Sequence, residues 1–111
     1  MEIIWDYEAL DDLEAILCYI EDQYSIYEVR HFRQDLIECM RNLTNYPNIG
    51  KVEPLLKDCV DKKVRYITVG RRCKLIYLFM PGTIFVVGLW DSRHGQVTPE
   101  YKKRGRKSKI Q

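Results

Sequence analysis

The side chains best suited to chemistry here are two cations at the ends of one apolar stretch. Lys74 opens KLIYLFMPGTIFVVGLWDSR and Arg93 closes it. The stretch reads as two strands joined by a tight turn, so both cations sit on rigid backbone beside a hydrophobic core, where a small domain builds a site. The wider charge pattern carries the same bias. Residues 1–40 hold eleven acids and two bases, Arg30 and Arg33, whereas residues 51–111 hold fifteen bases and five acids. If the two halves occupy different sides of the fold, the basic side attracts nucleic acid or an acidic partner.

Other chemistries find less support. The four cysteines, at positions 18, 39, 59 and 73, form no CxxC, and neither histidine lies near them in sequence. They are expected as free thiols acting as small hydrophobes. No metal and no cofactor is expected. No apolar run approaches the ~20 residues that a membrane span requires. The first residues, MEIIWDYE, carry acids where a signal peptide carries Lys or Arg, so the expectation is a cytoplasmic protein with no membrane contact.

The positioning elements follow from periodicity. Glu2 to Trp5 is a short apolar strand, and Asp6 is placed to cap a helix over Tyr7–Tyr24. Leu10, Leu13, Leu17, Ile20 and Tyr24 recur at steps of three and four and predict its buried face. Ser25-Ile26-Tyr27-Glu28 has the form of a capping box and starts a second helix, whose stripe is Val29, Phe32, Leu36, Met40 and Leu43. Tyr46-Pro47-Asn48-Ile49-Gly50 ends it. Lys51 to Lys63 reads as a polar connection. Strands then follow at Val64–Val69, from residue 73 to 80, and at Thr83–Trp90, with turns at Gly70-Arg71-Arg72 and Pro81-Gly82.

The expected fold is α+β: a strand, a two-helix antiparallel hairpin and a three-stranded antiparallel meander, with the helices packed on one face of the sheet. One domain spans residues 1–100. Residues 101–111 form a basic tail of disordered composition. In the strand over residues 73–80, Leu75, Tyr77 and Phe79 share one face, and Lys74, Ile76, Leu78 and Met80 the other. Both faces are largely apolar, and the helices can cover only one. A partner, the tail or a substrate must meet the second.

In their order and spacing, several pieces resemble the RelE/ParE superfamily, the small toxins of bacterial type II toxin–antitoxin modules. They are Pro47-x-x-Gly50 after the second helix, Glu53-Pro54-Leu55-Leu56 in the connection, Arg65 opening the next strand, KLIY at 74–77, and WDSR at 90–93. The likeness covers roughly Ile3 to Arg93. It implies a protein held by a cognate antitoxin. RelE-like members cleave messenger RNA on the ribosome without a metal, and ParE-like members poison DNA gyrase and lack the nuclease residues. The nuclease needs cations around a phosphate and groups that move protons. The resemblance assigns Arg65, Lys74 and Arg93 to the phosphate and His94 or Tyr101 to proton transfer. Arg71, Arg72, Lys102, Lys103 and Arg104 are candidate RNA contacts. Ile67 stands where RelE-like members carry a further lysine.

The first expectation is therefore a ribosome-dependent messenger RNA endoribonuclease, a mRNA interferase of the plasmid-stabilisation type. The alternatives are a non-enzymatic gyrase inhibitor and a degenerate member that only binds its antitoxin. The antitoxin is expected to lay an apolar and acidic segment over the outer sheet face and pair with Arg65, Lys74 and Arg93.

Overall fold

The computed structural model describes residues 1–52, 64–71 and 73–91. The elements run β1 (Glu2–Trp5), α1 (Tyr7–Gln23), α2 (Ile26–Asn45), β2 (Lys51–Val52), β3 (Val64–Val69), β4 (Cys73–Met80) and β5 (Thr83–Asp91). The helix starts are those of the local chemistry. Asp6 Oδ1 accepts the Tyr7 N–H at 2.9 Å, and Ser25 Oγ accepts the Glu28 N–H at 3.3 Å. Both turns of the meander use a glycine at positive φ: Gly70 at 61° and Gly82 at 80°.

The sheet order is β1-β5-β4-β3-β2. The meander β3–β4–β5 is antiparallel, as its short turns require, and β1 joins it parallel to β5. The stretch expected as a plain connection begins with a strand, since Lys51 and Val52 pair with Tyr66 and Arg65. Between Ile76 and Tyr77 the register jumps from Gly88 to Val86, leaving Val87 as the extra residue of a bulge.

Both helices pack on one face of the sheet. Ala9, Ala15, Ile16, Ile20, Val29, Phe32, Leu36 and Leu43 close a single core with Val69, Cys73, Leu75, Tyr77, Ile84, Val86 and Leu89. The α2 stripe is as expected apart from Met40, which is only partly buried. The α1 face is rotated from the expected one. Leu10, Leu13 and Leu17 are partly buried, and Tyr24 is exposed, whereas Ala9, Asp12, Ala15 and Ile16 turn fully inward. The cause lies at the sheet edge. Beyond Trp5 the chain leaves β1, so the Leu89 N–H has no strand beside it. Asp12 Oδ2 accepts it at 3.1 Å instead.

Cys73 is buried, and Cys18 and Cys39, both free thiols, are partly so. Cys59 and the tail at 101–111 lie outside the described residues. Among the described residues no helix is long and apolar enough to cross a membrane.

Candidate functional site

Arg65 lies in β3 opposite Tyr77 of β4. Paired residues of an antiparallel sheet share a face, and Tyr77 belongs to the core beneath the helices. Arg65 therefore faces the helix side. Its Nη1 donates to the Gly50 carbonyl at 2.9 Å. The Tyr77 hydroxyl donates to the Pro47 carbonyl at 2.8 Å and accepts from the Gly50 N–H at 3.0 Å. A Cβ at Gly50 would lie 2.6 Å from the Tyr77 hydroxyl, so only glycine fits. Burial pushes the Tyr77 phenol above its usual range, partly offset by the Gly50 hydrogen bond and the Arg65 charge. These groups fasten the Pro47–Gly50 turn to the sheet and set the start of β2.

Lys74 lies on the opposite face. Its cross-strand partners are Thr68 and Trp90, and its Nζ stands 4.4 Å from the centre of the Tyr66 ring. In the adjoining row, Lys51, Tyr66, Ile76 and Gly88 follow one another across β2, β3, β4 and β5. A Cβ at Gly88 would lie 3.1 Å from the Trp90 indole nitrogen. The glycine thus leaves room for the indole close against the strand. The outer face carries Lys51, Tyr66, Lys74 and Trp90 as one polar and aromatic strip.

Two of the cations expected to share one phosphate therefore sit on opposite faces of the sheet. The expected pairing of one antitoxin segment with Arg65, Lys74 and Arg93 would thus have to span both faces of the sheet. Arg71 is exposed at the β3–β4 turn. It rims a cavity of about 450 Å³ whose floor is Ile20, Phe32 and Val69, with Glu28, His31 and Asp35 around it. Arg72, Arg93, His94, Tyr101, Lys102, Lys103 and Arg104 lie outside the described residues.

Lys51, Tyr66 and Trp90 were missed as neighbours of Lys74. Their signal was available only through register: alternation separates Arg65 from Tyr66 within β3, but the length of the Gly70–Arg71 turn decides which of them shares a face with Lys74. Further along the outer face, Ile4, Tyr7, Leu78, Phe85 and Val87 line an apolar groove of about 410 Å³. The second apolar face anticipated from the sequence is thus present. Among the described residues no group of three or more His, Cys, Asp or Glu is placed to hold a metal ion.

Comparison with known proteins adds to this geometry. The family described as "ParE toxin of type II toxin-antitoxin system, parDE" matches residues 3–95. Among solved structures, a chain titled "Chromosomal ParDE TA system from P. aeruginosa" is similar with a TM-score of 0.63 at 20% sequence identity. That likeness, which is one of fold, covers 88% of this chain and 97% of that chain. No curated protein matches.

Proposed function

The chain belongs to the ParE toxins of type II toxin–antitoxin systems, and from this premise we propose that it inhibits DNA gyrase without catalysing a reaction, and that its cognate antitoxin neutralises it. The observation that supports this reading over a ribonuclease is the separation of Arg65 from Lys74. Cleavage of RNA by its own 2′-hydroxyl requires cations converging on one phosphate as charge develops there. Side chains on opposite faces of a sheet point away from each other. Arg65, moreover, is engaged by the Gly50 carbonyl on the helix side.

A ribonuclease would have to work from the outer face alone, with Lys74 and whatever Arg93, His94 and Tyr101 contribute. The two readings part in a cell. Inducing the chain without its antitoxin should arrest growth with DNA damage and gyrase trapped on cleaved DNA, while transcripts stay intact. Transcripts cut within codons, with undamaged DNA, would replace this reading by the ribonuclease. Unimpaired growth at equal expression would leave a member that only binds its antitoxin.

A further inference from the structure

We propose that the exposed face of α2 is the surface by which the chain docks on gyrase, and that it takes an acidic amphipathic helix of that enzyme. This rests on the reading as a gyrase inhibitor and names the contact through which inhibition would work. The face is carried by Ile26, Arg30, Arg33, Ile37 and Arg41, all exposed. They recur at steps of four, three, four and four, so they stack along one side of the helix over about 22 Å. The buried stripe of Val29, Phe32, Leu36 and Leu43 lies on a different side and closes the core.

Charge is sorted around this helix. Its arginines, Arg30, Arg33 and Arg41, all lie on the exposed face. Glu28 and Asp35 lie on another flank, around the cavity beside the Gly70–Arg71 turn. Glu38 reaches Arg41 at 3.8 Å, but both are exposed, and such a pair is worth little. A partner's carboxylate can replace it. The Arg30 guanidinium stands 5.8 Å from the centre of the exposed Tyr27 ring. Arginine and tyrosine concentrate at the energetic centres of interfaces, where lysine is depleted, and neither α1 nor α2 contains a lysine. Ile26 and Ile37 are 46% and 52% exposed, so each offers apolar area that a partner can take out of water. The complementary surface is acidic, to meet the guanidinium groups, and apolar at two points roughly 16 Å apart, three helical turns. A helix with apolar residues eleven positions apart, flanked by Asp and Glu, meets both demands. Nucleic acid would answer the charge and leave both isoleucines against a polar backbone.

Supercoiling of relaxed plasmid by gyrase, titrated with the full-length chain and two variants, tests this. One variant is Ile37→Asp. The other is the double reversal Arg30→Glu, Arg33→Glu. These positions are exposed, so thermal midpoints should stay near that of the wild type. The reversal decides the matter if Ile37→Asp does not fold. Losing a central contact of an interface weakens binding by about 30-fold or more, and each variant should need that much more protein for half inhibition. Association of the wild type with immobilised gyrase should slow as salt rises, and the reversal should flatten that dependence. Both variants should still bind the antitoxin. Inhibition by both at wild-type concentrations would overturn this inference and leave the gyrase reading standing. If the variants inhibit undiminished but lose the antitoxin, or lose a self-association of the wild type, the inference is likewise overturned and the face belongs to that partner. A wild-type chain that leaves gyrase uninhibited would remove the gyrase reading itself, and this inference with it.

Discussion

Arg65 shows how a residue's chemistry is decided by what surrounds it. As a sequence feature it is a cation at the start of a strand, suited to a phosphate. In the fold it donates to the Gly50 carbonyl and stands beside the Tyr77 hydroxyl, whose two hydrogen bonds pin the same turn. Tyr77→Phe keeps the ring and removes both bonds, leaving the Gly50 N–H and the Pro47 carbonyl without this partner. The expected loss is ~1–3 kcal/mol, measurable by urea unfolding at pH 7. The same group gives a pH dependence. Its phenol is raised in the folded protein, first by burial. Below pH about 10 the tyrosine is neutral in both states and its contribution is whole. As pH rises beyond that, the unfolded chain releases the proton first, and stability falls until the folded group also titrates. Cys39 is raised in the same direction, by burial and then by Asp35 and Glu38, and adds a fall that begins somewhat lower. Unfolding free energies measured from pH 8 to 11 should decline in the wild type. The decline should be shallower in Tyr77→Phe and in Cys39→Ala, and equal slopes in all three would contradict the assignment.

Among the elements, legibility followed locality. The caps at Asp6 and Ser25 and the turns at Gly70 and Gly82 were readable because each depends on a few adjacent residues. Ser25→Ala removes the bond to the Glu28 N–H and should cost about 1 kcal/mol in thermal or urea unfolding. The face of α1 was not readable. Asp12 looks like an exposed acid near a helix start, yet it is buried to satisfy a backbone N–H that β1 is too short to reach. Only the sheet order explains it. Asp12→Ala should therefore cost ~1–3 kcal/mol, far more than an exposed acid, and the loss should appear in urea unfolding with the m-value unchanged. The two-residue β2 was equally hidden, since Lys51-Val52 carries no strand pattern of its own. Its pairing rests on the close approach of Gly50 to Tyr77. The site was legible in its residue types and not in its faces: alternation sorts each strand separately, and register alone joins the sorting across a turn.

At the scale of the whole molecule, the helices cover one side of the sheet and set Arg65 among the supports of the fold. The other side carries an apolar groove beside a basic, aromatic strip. This division underlies the reading as a gyrase inhibitor rather than a nuclease. The direct test uses purified components. The full-length chain is titrated into gyrase acting on relaxed plasmid with ATP, and in parallel into ribosomes translating a defined message. The account predicts that supercoiling falls as linear, gyrase-cleaved DNA accumulates, and that the message stays whole. Undiminished supercoiling together with a message cut on the ribosome would contradict it.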